Sequence, residues 1–354
     1  MRNRNFYLKG LLLVPLLALI SGCITAQPVE WRDTRHNLAW PQPPDPARVV
    51  FLRELAHPKD IVPEKGRVGR FLDLLTGDQE AKVEFNSPYG VATDNGSVVY
   101  IADPSAGFVH RYDLANREVT YIVQAGDDVF GSPVGVAVDR NGNLYVSDSH
   151  RRKVYKFSRD GEYLQEIKAE KEFQRPAGIA INADGEIFIV DVLAQKLYVF
   201  DNKDRFIRSF PKSMPGTELI SPSNVAVDQA RNVYVTDTMG FMVRVFDHEG
   251  NPLGTIGEIG DAPGSFARPK GVAVDSDGHI YVVDSNHDNF QVFDREGTLL
   301  LFIGRNGVRP GEFYLPSGIF IDSHDRIFVA DTYNHRVQIF QYVKQGGNNE
   351  ISNR

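Results

Sequence analysis

The side chains best equipped for chemistry are three histidines, His150, His287 and His335, each set two to four residues after an aspartate. Imidazole near carboxylate is the material of metal ligation and of general acid–base catalysis. Arg151 and Arg152 follow His150, Asn286 precedes His287, and Tyr333, Asn334 and Arg336 surround His335. Ser87, Tyr89, Arg175, Asn224, Arg268 and Lys270 complete a set rich in cations, amides and phenols, which suits an anionic peptide, a glycan or an acidic protein partner. The competing reading is a solvated rim, its arginines capping strands and its histidines belonging to a repeated pattern. Asp127, Asp128 and Glu172 nearby count against a purely basic surface. No P-loop and no G-x-G-x-x-G after a strand occurs, and a single cysteine, Cys23, excludes both a C-x-x-C-H haem site and an internal disulfide. Serines, histidines and aspartates are too many for spacing alone to select a catalytic triad.

These residues are carried by a repeat. The stretch Arg268 to Gly297 reads as a turn at Pro269–Gly271, a strand over Val272–Val274, a hairpin at Asp277–Gly278, strands over Ile280–Val283 and Phe290–Phe293, and a fourth apolar run over Leu299–Ile303. Prolines open six such copies, at Pro88, Pro133, Pro176, Pro222, Pro269 and Pro316, with intervals of 45, 43, 46, 47 and 47 residues. Fifteen residues after each stands an aspartate: Asp103, Asp148, Asp191, Asp237, Asp284 and Asp331. Four strands at this period predict an all-β propeller of six four-stranded antiparallel blades, near 85–125, 130–168, 173–211, 219–257, 266–304 and 313–342. Because they recur, the aspartates are expected to be architectural, accepting backbone N–H groups. The last copy lacks a fourth strand, and Val49–Leu55, a lone strand before the repeats, is expected to supply it and close the ring.

Comparison of the copies separates scaffold from site. Alanine stands four residues after the proline in five copies, whereas blade six has Phe320, read as filling a gap in a neighbour or as plugging the axis. Glycine stands two residues after the proline except at Asn224 in blade four, expected to need either positive φ or close approach. Asn182 replaces an aspartate seen at the same place in the other copies.

The pairs Asn286–His287 and Asn334–His335, the latter in DTYNHRVQIF, make the chain closely resemble the NHL-repeat family of six-bladed β-propellers over roughly residues 85–342. The resemblance implies fold rather than activity. Six-bladed relatives include peptidyl-hydroxyglycine amidating lyases and calcium-dependent lactonases, whose metal ligands converge on the axis. The lyases place histidines directly after several turn prolines. Here those positions hold Tyr89, Val134, Ala177, Ser223, Lys270 and Ser317, so the three-histidine zinc site does not carry over.

Before the repeats, residues 1–22 read as a signal peptide, with Arg2, Arg4 and Lys9 ahead of an apolar stretch over Leu11–Ile20. Ile20-Ser21-Gly22-Cys23 resembles the lipobox of bacterial lipoproteins, implying acyl chains on Cys23 and, with Ile24 following, outer-membrane retention where the cell has one. Residues 23–47 are expected to form an extended tether, with Trp31 and Trp40 docking on the body. A short amphipathic helix is expected near 66–76, from Val68, Phe71, Leu72 and Leu75, and residues 343–354 as a disordered tail. Net charge of −7 and a pI near 5.7 argue against a nucleic-acid binder. The expectation is therefore a monomeric, lipid-anchored envelope scaffold, without cofactor, that captures a protein, peptide or glycan. The alternative is a lyase or hydrolase with calcium or zinc at the axis.

Overall fold

A computed structural model describes residues 29–63, 83–211 and 218–344. The signal peptide, Cys23, the helix expected near 66–76 and nearly all of the tail lie outside the described residues.

Alternating Val/Ile/Phe/Tyr runs punctuated by Asp-Gly and Asn-Gly turns fold as antiparallel four-stranded sheets, six in a ring. The inner strands are Val91–Thr93, Pro133–Val138, Pro176–Ile181, Pro222–Val227, Pro269–Val274 and Ile319–Ile321. Each second strand ends on the repeated aspartate. Residues between strands two and three, and those leading into each inner strand, share one side of the disc, the loop face; the tight hairpins share the other.

Blade six is closed as expected: Val49–Leu55 pairs antiparallel with Arg336–Tyr342 as its outer strand. Beyond it the structure adds a fifth strand, Ala39–Trp40. The segment expected to stand off as a tether is therefore packed on the disc from Val29 onward. Val29 N–H donates to Leu114 O in blade one, Trp31 meets Phe328 edge-on at 6.0 Å with the Arg326 guanidinium 3.7 Å over its ring, and Trp40 packs on Phe340 at 5.8 Å. Two indoles and an aliphatic floor bury area that free chain would leave in water.

All six repeated aspartates are fully buried. Asp284 accepts N–H bonds from Ala267, Arg268 and Asn286 at 2.6–3.0 Å; Asp148 does the same for Gly131, Ser132 and Arg151. One carboxylate thus satisfies the loop entering its blade and the turn leaving strand two, which is why the spacing of fifteen never varies.

The repeated glycines are explained by approach, not by φ, since none of them lies in the left-handed region. A Cβ on Gly90, Gly135, Gly271 or Gly318 would stand 2.1–2.7 Å from a carbonyl oxygen of the next blade. Asn224 is not left-handed either. The hairpin carboxylates form Asx turns, and Asn182 makes the same turn with its amide oxygen, accepting from Asp184 and Glu186 N–H at 3.0 and 2.9 Å; it is structural. Phe320 packs against Phe328, ring centroids 6.4 Å apart, while its edge joins the axial wall without closing the channel.

Candidate functional site

Two concentric rings of side chains occupy the loop face, and the repeat defines both. The inner ring consists of the residues on either side of each turn proline. Most are small or hydroxylic, but Tyr89 stands in blade one, Arg175 in blade three, and Arg268 and Lys270 in blade five. Two of the hydroxyls are bound into the frame: Ser223 Oγ donates to Lys270 O at 2.8 Å, and Ser317 Oγ bonds Thr332 Oγ1 at 2.7 Å. No carboxylate is paired with Arg175, Arg268 or Lys270 among the described residues.

Burial pushes the Lys270 amine down to about 8, and Arg268 and Arg175 add to the effect. Burial likewise raises the Tyr89 phenol, while the same two guanidinium groups oppose it. The Lys270 amine of blade five and the Tyr89 phenol of blade one thus both feel Arg175 of blade three and Arg268 of blade five at the mouth of the axis. The folded amine titrates near 8 and the unfolded one near 10.5, so between those values the unfolded chain binds more protons and stability rises with pH. Lys270→Met is expected to raise the unfolding free energy at pH 7 by about 2 kcal/mol, a gain that shrinks as pH climbs past 8 and vanishes only above about 10.5. Urea melts across this range check it; a pH-independent gain would mean packing, not charge.

Beneath the mouth lies an axial channel of about 240 Å³, walled by aliphatic side chains such as Val136, Ile179, Val272 and Ile319, with Asn224 among its few polar side chains. Asn224 Oδ1 accepts from Val225 N–H at 2.7 Å. The wall holds no carboxylate and no imidazole. Among the described residues no three His, Cys, Asp or Glu side chains are grouped so that they could hold a metal ion. These residues do not fit the calcium or zinc of the enzyme alternative.

The outer ring is formed by the residue two before each proline and the residue two after each aspartate. Of the histidines only His150 belongs to this ring, His287 and His335 following it by one and two positions in their own blades, and the three stand apart from one another. His150 is exposed, its ring against Gly131. His287 lies 3.4 Å from Asp284 in blade five, and His335 bonds Asn86 O at 2.6 Å across the seam to blade one. Arg151 Nε donates to Val129 O, Arg152 is exposed at φ 59°, and Asn286 is exposed. Asn334 donates to Gly307 O and Asp331.

Arg336 requires a correction. It was expected on the binding face, yet it is 5 % exposed and its guanidinium donates to Asp331, Glu54 and the carbonyls of Val308, Arg309 and Glu312. A loop wrapped over blade six takes every donor inward.

What the sequence reading missed are exposed apolar residues of the same ring: Leu193 at 58 %, Ile220 at 53 %, Met239 at 57 % and Tyr314 at 44 %, beside Tyr333 at 57 %. Alignment of the copies on their aspartates would have found them, because blades one, two and five carry no large apolar residue at these positions.

The model for the NHL repeat matches residues 266–293 and 313–340, and that for a 6-bladed beta-propeller matches residues 109–212. The chain is a six-bladed propeller carrying NHL repeats. No curated protein matches this NHL propeller in sequence. Among solved structures it is similar to a gluconolactonase from Xanthomonas campestris (15% identity, 83% of this chain and 98% of that one, TM-score 0.58). It is also similar to virginiamycin B lyase from Staphylococcus aureus (13%, 73% and 96%, TM-score 0.53). A third is an auxiliary nutrient binding protein from Bacteroides thetaiotaomicron (12%, 73% and 70%, TM-score 0.58). At such identities the NHL propeller shares with them its fold alone.

Proposed function

We propose that the NHL propeller is a binding scaffold of the bacterial cell envelope, anchored through acyl chains on Cys23, whose loop face captures an anionic group of a protein, peptide or glycan. The observation that carries this reading is the cluster of Arg175, Arg268 and Lys270 at the axial mouth without a carboxylate partner among the described residues. Cations left without a carboxylate around the axial mouth, Lys270 partly buried and Arg175 and Arg268 exposed beside it, favour an anion from outside, since such a ligand relieves their mutual repulsion. The rigid ring fixes their spacing, and the loops supply specificity. The scaffold acts as a monomer and needs no cofactor for this work.

The test uses oligo-glutamate and oligo-galacturonate as probes. Binding of at least one by the wild-type protein is expected, weakening as salt rises. Arg175→Glu combined with Lys270→Glu is expected to abolish it while leaving the circular dichroism spectrum and cooperative melting intact. Undiminished binding by the folded double variant would place the site elsewhere.

A further inference from the structure

We propose that the two rings form one composite docking surface for a protein segment whose carboxylates seat on the central cations and whose flanking apolar side chains cover blades three, four and six. The inference rests on the anion-binding reading above and narrows the partner to protein.

Scattered exposed apolar residues are ordinary on any surface. Those of the outer ring are not scattered: they occupy equivalent positions of the repeat, all on one face. Leu193 belongs to blade three, and Ile220 and Met239 to blade four. Gln195 Nε2 donates to Ile220 O at 2.9 Å, tying the loop that bears Leu193 to the one that bears Ile220. In blade six Tyr314 and Tyr333 lie 5.3 Å apart, centroid to centroid, each about half exposed. The repeat's own needs do not call for apolar residues there, because Asn86 and Ser105 fill the same positions in blade one, Gly131 and His150 in blade two, and Ala267 and Asn286 in blade five. Apolar surface around a charged centre, with methionine and tyrosine among its members, is the composition of a protein-recognition patch. A glycan would draw instead on amide and hydroxyl groups such as Asn86, Ser105 and Asn286, which belong to blades one and five and not to the apolar sectors of blades three, four and six.

The experiment compares three synthetic probes on the wild-type protein, on Leu193→Ser with Met239→Ser, and on Tyr314→Ser with Tyr333→Ser: a peptide with leucines flanking an acidic centre, oligo-glutamate, and oligo-galacturonate. All substituted positions are exposed, so the variants are expected to fold, which their melting confirms. The flanked peptide is expected to bind wild type at least ten times more tightly than oligo-glutamate, and each outer-ring pair is expected to remove most of that advantage without changing oligo-glutamate binding. Equal binding of the flanked peptide by all three proteins would overturn the composite surface while leaving the anion site standing. Preference for oligo-galacturonate, unaffected by the outer-ring changes, would overturn it in favour of a glycan. Loss of all binding by wild type would remove the anion site itself.

Discussion

Arg336→Met is expected to cost about 3–5 kcal/mol of stability, because it leaves a buried charge and several carbonyls without their donor. Arg336 Nε holds Asp331 at 2.8 Å, one terminal nitrogen reaches Glu54 at 2.7 Å on the closing strand, and three carbonyls of the loop from Val308 to Glu312 take the rest. Asp331 is fully buried, and burial already holds its carboxyl above the ordinary value against the pull of Tyr314 N–H and Arg336. Without the guanidinium it would rise further. A raised carboxyl binds protons more readily in the folded state, so the deficit of the variant is expected to shrink as pH falls towards 4. Arg305→Met serves as a control, since Arg305 is exposed where it meets Glu312 and should cost under about 1 kcal/mol. A deficit at Arg336 no larger than the control would show that the network contributes nothing.

Starting the chain at Val83, and so deleting the closing strand, is expected to abolish cooperative folding. The strand Arg336–Tyr342 would lose its partner along the whole of its outer edge, and Phe51, Leu52 and Leu55, each at most 1 % exposed, would leave the two clusters that flank blade six. An unpaired edge of this length is also a template for aggregation. A synthetic peptide spanning residues 29–57 is expected to restore solubility and a single melting transition. Phe51→Ala in the full chain offers a graded version, expected to cost about 3–5 kcal/mol through the cavity it opens. A soluble, cooperatively melting chain from Val83 alone would mean that the ring closes by packing rather than by pairing.

The ring was legible in the sequence because its constraints repeat. A buried carboxylate that must reach two loops leaves no freedom of spacing, so Asp103 to Asp331 announce themselves six times, and the missing fourth strand of the last copy pointed to Val49–Leu55. Arg336 was misplaced because its neighbours in sequence, Tyr333 to His335, do face the loop side, and only the fold of Val308–Glu312 over it takes its donors inward. The glycine rule was half read: contact between blades is a long-range fact that local conformation does not encode. The apolar outer ring escaped notice because Leu193 and Met239, taken singly, look like core residues displaced into a turn. Tyr89, Arg175, Asn224, Arg268 and Lys270 could be placed on the loop face from sequence alone because the repeat fixes the position of each, and they depart from the small or hydroxylic residues of most other copies.

The amino-terminal stitch has a mechanical consequence. Any pull arriving along the chain from before Val29 meets first the bond to Leu114 and then the Trp31 indole, met edge-on by Phe328 and covered by the Arg326 guanidinium. These contacts straddle the seam where the ring is closed, so the load is divided between blade one and blade six before it reaches the strand that holds them together. Tension there would be taken up by an indole that can slip and reseat, sparing the hydrogen-bonded zipper whose rupture would open the disc.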